Sequence, residues 1–171
     1  MLVVRAEQPG DTAAIRAVHE LAFPGPAEAR LVDALRAAGR LPISLVAEDC
    51  GVIVGHIAFS PVALAEAPDG AGLAPVAVVP LSQRRGVGGS LVREGLESCR
   101  RAGFGFVVVL GAPEYYSRFG FASASGWGLT DEYGGGPAFQ ALELRHGAIP
   151  FGAGLVRYAP EFALVEGEAP A

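Results

Sequence analysis

The sequence predicts an α/β fold held in one domain, and three observations carry that prediction. Stretches with apolar residues at the helical spacing alternate with short β-branched runs, in the order β-α-α-β-β-β-α-β-α-β-β. At 171 residues the chain suits one domain, which buries roughly 70% of its unfolded surface without needing staples. Hydrophobic residues make up 51% and charged residues 18%, a globular balance, and neither a repeat nor a linker interrupts the chain.

"LVV" at 2–4 alternates into Arg5 and predicts a first strand. Asp11 is placed to cap a helix in which Ile15, Val18, His19 and Ala22 share one face, and Pro24 and Pro26 end it. A second helix starts near Ala27, turns Leu31, Val32 and Leu35 to one side, and stops at Gly39. "ISLVAED" and "VIVGHIAFSPVAL" are strand runs joined by the tight "DCG" turn, which predicts an antiparallel hairpin. "APDGAG" reads as a second turn and "LAPVAVV" as a further strand. After "QRRGVGGS" comes a helix with Val87, Leu91, Leu96 and Cys99 roughly on one face. Arg100 and Arg101 stand at its negative dipole end, before Gly103. "FGFVVVLGA" predicts a strand buried on both faces, and "PEYYSRFGF" a short helix or turn. "AFQALELR" and "GLVRY" predict closing strands, with "SASGWGLTDEYGGGP" before them as a loop of no clear period.

The formal net charge of −5 argues against nucleic acid as a partner, and all 13 basic residues are arginine. Cys50 and Cys99 stand alone, without the spacing of a zinc site, and read as reduced thiols. The most apolar stretch, "VIVGHIAFSPVALA", is too short to span a bilayer, and the N-terminal residues lack a secretory pattern. The expectation is a soluble cytoplasmic protein with no membrane partner.

The chemistry centres on "QRRGVGGS". A strand that ends in a glycine turn opening a helix presents unpaired backbone N–H groups and a positive dipole end, which suits an anion. A flexible helix start accounts for the same residues equally well. Two phosphate loops are excluded. A Walker A loop needs a lysine, which the chain lacks, and Leu91 stands where a Rossmann loop needs its third glycine.

"VAVVPLSQRRGVGGSLV" resembles motif A of the GCN5-related N-acetyltransferases, Q/R-x-x-G-x-G/A after a strand ending V-x-P. Gln83, Gly86 and Gly88 fill the fixed positions, and Val78 and Pro80 the strand end. The element order matches that family over about residues 3 to 160. "LAPVAVVP", "VVVLGAPEYYSRFGF" and "ALEL" together resemble a bacterial subgroup of the YhbS type. The resemblance implies a mixed, mostly antiparallel central sheet flanked by helices. It also implies a single N-acetyltransferase domain over 1–165, with 166–171 as a disordered tail.

The resemblance further implies acetyl-coenzyme A as co-substrate. Its pyrophosphate would be cradled by Gln83, Arg84, Arg85, Gly86, Val87, Gly88, Gly89 and Ser90. Its pantetheine arm would pair with backbone groups of Ala77, Val78 and Val79, where the two central strands splay. In family members the tyrosine of Y-x-x-x-G-F often protonates the leaving thiolate; here that position is Tyr116. Tyr115, its neighbour, would point elsewhere and has no assigned role. Packing is the alternative account of both tyrosines.

The chain departs from the family at two points. Leu73, Ala74, Pro75 and Val76 stand where many members carry a catalytic acid, and the asparagine that many place after the fifth strand is absent. Glu66 and Asp69 read as solvated turn residues, His56 as a structural strand residue and His19 as core-edge. Asp131 and Glu132 could select a cationic acceptor or simply face solvent, and Trp127 and Tyr133 could line its pocket or pack the loop. The expected acceptor is a small primary amine or a protein N-terminus, and a homodimer stays open. The competing class is a catalytically silent sensor that binds acyl-coenzyme A.

Overall fold

Strand β1 (Leu2–Ala6) is followed by helices α1 (Thr12–Ala22) and α2 (Ala27–Ala37) and by strands β2 (Ile43–Asp49), β3 (Val52–Val62) and β4 (Gly70–Val78). The computed structural model describes residues 1–65 and 67–165; Glu66 and the tail expected at 166–171 lie outside the described residues. Helix α3 (Val87–Arg101), strand β5 (Phe106–Leu110) and the one-turn helix α4 (Pro113–Tyr116) come next. Strands β6 (Ala122–Ser123), β7 (Leu129–Asp131), β8 (Phe139–Glu143) and β9 (Gly154–Val156) complete the order.

Among the described residues the main sheet has seven strands in the order β1-β2-β3-β4-β5-β8-β6, antiparallel except for the parallel β4–β5 pair. The β2–β3 hairpin turns on Cys50 and Gly51, both at positive φ (49° and 83°), as a two-residue type I′ turn requires. One face of the sheet packs on α3: Ile57, Phe59, Leu73, Val107 and Val109 meet Val87, Leu91, Val92, Leu96 and Cys99. The other face carries Val46, Val62, Phe106 and Val108 against α1, α2 and the C-terminal turns. The predicted apolar faces of α1, α2 and α3 are the buried ones.

Four readings of the sequence are corrected. The run "GLVRY" does not close the main sheet: β9 pairs in parallel with β7 as a separate two-stranded sheet. The supposed loop 123–137 contains β7 and short 3-10 turns. Strands of two or three residues have no period to read, and their partners are remote in sequence. β4 starts within the predicted "APDGAG" turn, because Gly70 can lie flat against the Phe106 ring. Asp11 does not cap α1 with its side chain; it accepts the Gln8 N–H (2.7 Å) and the Arg5 guanidinium (2.7 and 3.2 Å), tying β1 to the turn before the helix.

β4 and β5 are the pair that positions the site. They are in register only from Gly70–Phe106 to Gly72–Val108. Beyond that, β4 bulges: Leu73 pairs with Phe59 and Val76 with Ile57, so β4 spends three steps where β3 spends two. Pro75 sits in this bulge, where a missing N–H disturbs the ladder least. The two strands therefore part along a length that runs from Gly72 toward the glycine turn.

Candidate active site

At the open end of the splay, Gln83–Gly86 link a short turn at Pro80–Ser82 to α3. Arg84 and Gly86 both take positive φ (61° and 83°), a conformation that glycine adopts freely and arginine does not. The first bond of α3 runs from Ser90 N–H to the Gly86 carbonyl (3.0 Å), so the N–H groups of Val87, Gly88 and Gly89 have no partner within the helix. A side chain at Gly86 would meet nothing within 4 Å, so the turn is open on that side. Arg84 and Arg85 are exposed beside it. Gln83 is committed: its Nε2 donates to the Val78 carbonyl at 3.0 Å and holds the loop against the strand end.

Of the three strand residues expected to meet the pantetheine arm, Val79 donates its N–H to Val54 on β3 (2.9 Å). Backbone groups alternate edges along a strand, so Ala77 also faces β3, while Val76 and Val78 face the splay. Nothing in the sequence sets Val76 beside the pantetheine arm, because the alternation has no phase until one bond fixes it.

The two tyrosines of α4 occupy different walls. Tyr116 is 8% exposed and packs edge-on against Phe121 (5.7 Å between centroids). Its ring lies where a side chain at Gly111 would be, so a bare backbone at the end of β5 makes its seat. Burial, with a smaller push from Tyr115, raises its phenol to about 12. Tyr115 reaches the other way. Its hydroxyl lies 3.0 Å from the position of a β-carbon on Gly88, in the first turn of α3. The Arg118 guanidinium sits over its ring at 4.3 Å, and Arg93 folds back over Gly89. Tyr115 thus points elsewhere, as expected, but toward the glycine turn. This contact, Arg93 and Arg118 had no signal in the sequence, since they depend on how α4 packs beside α3.

The remaining polar residues divide sharply. His19 is not core-edge but fully buried; its Nε2 lies 2.8 Å from His56 Nδ1, and His56 Nε2 lies 2.8 Å from Ser44 Oγ. Burial lowers both imidazoles, His19 to about 4, and Arg36 adds to the effect. Asp69 pairs with Arg145 (2.6 Å). Asp131 accepts the N–H groups of Tyr133 (3.0 Å) and Gly135 (2.9 Å), and Glu132 accepts that of Tyr158 (2.9 Å), so both carboxylates shape the loop. Trp127 packs half-buried against the core. Burial raises the Cys99 thiol to about 12, which makes it inert.

The open first turn of α3, the free edge of β4 beside it and the buried Tyr116 phenol thus lie along one splay. Comparison with known proteins adds the family. Residues 3–124 match the family model described as an acetyltransferase (GNAT) domain. The chain is 40% identical over 164 residues to the uncharacterized N-acetyltransferase YhbS of Escherichia coli K12, covering 94% of this chain and 98% of that one. The crystal structure of E. coli YhbS in complex with CoA superposes with a TM-score of 0.90, at 39% identity, covering 95% of this chain and 92% of that one. A GNAT family acetyltransferase from Brucella melitensis in complex with acetyl-CoA superposes at 0.79, with 40% identity and coverage of 95% and 98%. The chain belongs to the GCN5-related N-acetyltransferase family of acyltransferases.

Proposed function

We propose that residues 1–165 form one N-acetyltransferase domain, acting in the cytoplasm, that moves an acetyl group from acetyl-coenzyme A to a primary amine by direct attack. The observation that carries this reading is the splay of β4 and β5 beside the open first turn of α3, with Tyr116 on its wall. Phosphate oxygens are received by the N–H groups of Val87, Gly88 and Gly89 and by the positive end of α3, with Arg84 and Arg85 adding charge. Val76 offers its N–H and carbonyl to the pantetheine arm, and Val78 its N–H, the Val78 carbonyl being held by Gln83. The Tyr115 hydroxyl joins the coenzyme side through its place at Gly88. Two relatives whose structures hold CoA or acetyl-CoA support the assignment.

In the transfer, the amine lone pair forms the C–N bond as the C–S bond breaks and its electron pair leaves on sulfur. The proton that nitrogen loses matches the one that sulfur gains. Tyr116 donates toward the sulfur, and any proton that it passes on is replaced from water, so the phenol ends each turnover protonated. A phenol near 12 holds its proton at neutral pH, as an acid must. Full transfer to a thiolate of pKa about 8.5 is uphill by roughly 3–4 units, so Tyr116 acts chiefly by hydrogen bonding to the sulfur as charge develops. β4 carries no carboxylate, so the ammonium proton leaves through water.

The test has two stages. Acetyl-coenzyme A at 100 times its Kd should stabilise the fold by about 2.7 kcal/mol. Thiol release with a panel of primary amines then separates an enzyme from a silent sensor. No change in Tm at saturating coenzyme overturns the site; binding without thiol release overturns the transfer.

A further inference from the structure

Tyr158 follows β9 and is only 7% exposed, yet its hydroxyl has no hydrogen-bond partner among the described residues. A phenylalanine would fill the same space without an unpaired hydroxyl, and buried polar groups without partners are rare enough to need an account. The position of the ring supplies one. Its Cε1 lies 2.8 Å from where a β-carbon on Gly72 would stand, and Gly72 is the last β4 residue paired to β5. Tyr158 therefore sits at the closed apex of the splay, on the face opposite α3. Ser60, directly across from Gly72 on β3, is also fully buried with an unpartnered hydroxyl. Burial raises the Tyr158 phenol, and Asp131, Tyr133, Glu132 and Tyr116 raise it further, in that order. Tyr116 packs on the α3 side of the sheet and Tyr158 on the other.

This arrangement bears on the acceptor, and it rests on the acetyl-transfer reading above. A coenzyme that enters beside α3 and runs down the splay leaves the apex, on the far face, as the way in for the second substrate. We propose that Tyr158 is an acceptor-binding residue: its phenol oxygen accepts an N–H from the attacking amine, and Ser60 holds a polar group beside that nitrogen. The substrate class is a primary amine, whose N–H groups meet the two hydroxyl oxygens left without partners. The Tyr133 ring, 5.9 Å from that of Tyr158 and 39% exposed, lies at the end of the loop that includes Gly134, Gly135 and Gly136. Access to Tyr158 requires this segment to move, since the ring is covered in the structure. A phenol that keeps its proton orients the nitrogen rather than deprotonating it.

The experiment measures thiol release from acetyl-coenzyme A by the full chain, with putrescine, tyramine and alanine amide as probes. Wild type is compared with Tyr158→Phe and Ser60→Ala. The expected result for Tyr158→Phe is an amine KM raised roughly 10- to 100-fold, as for a lost hydrogen bond to a charged or reacting group. kcat, the Kd for acetyl-coenzyme A and Tm should stay near wild type. Ser60→Ala should raise KM less. An unchanged amine KM in Tyr158→Phe overturns the assignment while leaving acetyl transfer intact. A fall in Tm together with weaker coenzyme binding overturns it too, because the hydroxyl is then part of the packing. Wild type that binds the coenzyme but releases no thiol with any of these cations overturns this assignment and the transfer reading together.

Discussion

His19 Nε2 and His56 Nδ1 lie 2.8 Å apart, in rings that solvent does not reach. Each contact in the chain His19–His56–Ser44 needs one donor and one acceptor, which neutral imidazoles supply and two imidazolium ions would not. Stability should therefore depend on pH. Both folded-state pKa values are lowered, His19 from 6.5 to about 4. Below pH 6.5 the unfolded chain binds protons that the folded chain refuses. Stability is then fully present above 6.5 and is lost as pH falls toward 4. For His19 alone the loss at pH 5 is roughly 2 kcal/mol. Urea unfolding at pH 7.5 and pH 5.0 checks this, and equal midpoints would show that the rings are not held neutral.

Gly95 marks how closely α3 lies on the sheet. A β-carbon there would overlap the Phe59 ring, with Cζ at 2.7 Å. Phe59 is fully buried and cannot swing away. Gly95→Ala gains about 1 kcal/mol of helix propensity, but overpacking costs roughly 1–3 kcal/mol. The clash should win, lowering Tm by a few degrees, since about 1 kcal/mol shifts a domain of this size by roughly 2–4 °C. Calorimetry decides it: a raised Tm means that the helix slides to make room.

The helices and long strands were legible because their periods are strong and their ends are marked, as Gly39 and Gly103 show at positive φ after α2 and α3. The glycine turn was legible as a motif. What stayed hidden was set by contacts between remote segments. His19 and His56 meet only because α1 crosses β3, and the pairing of β7 with β9 involves three residues on each strand. Tyr158 belongs to no motif, and its significance lies in a missing partner, which a sequence cannot display. The surroundings of Tyr115 stayed hidden for a related reason. Helical spacing sends it away from Tyr116, but only the packing of α4 beside α3 reveals Gly88 at the other end.

That contact sharpens the expectation for Gly88. Its β-carbon position is 3.0 Å from the Tyr115 hydroxyl and 3.8 Å from Val78 Cγ2. Gly88→Asp would push Tyr115 aside and set a negative charge in the first turn of α3. Affinity for acetyl-coenzyme A should fall more than tenfold, as an interaction reversed in sign costs more than the ~1.4 kcal/mol that a factor of ten represents. An acidic residue suits the helix dipole there, so Tm should hold. Calorimetric titration showing wild-type affinity would remove the phosphates from this turn.

The two tyrosines of α4 should fail in different ways. Tyr116→Phe keeps the ring in its seat over Gly111 and removes only the hydroxyl, so Tm and coenzyme Kd should barely change. kcat should drop roughly 10²–10⁴-fold, the usual loss for a general acid. Tyr115→Phe should show the reverse, a Kd for acetyl-coenzyme A weakened about tenfold with kcat near wild type, because its hydroxyl faces Gly88. Gly111→Ala adds a third reading: its methyl overlaps the Tyr116 ring and shifts the hydroxyl without deleting it. It should lower kcat in the same direction as Tyr116→Phe and add nothing in the double variant, since residues acting through one group are not additive. With its phenol at about 12, Tyr116 should impose no alkaline limb on kcat below about pH 11. The measurements are kcat, KM and Kd with whichever panel amine releases thiol fastest. Mild, equal losses in both tyrosine variants would reduce Tyr116 to a packing residue, and a collapse of kcat in Tyr115→Phe alone would move the acid one residue along the helix.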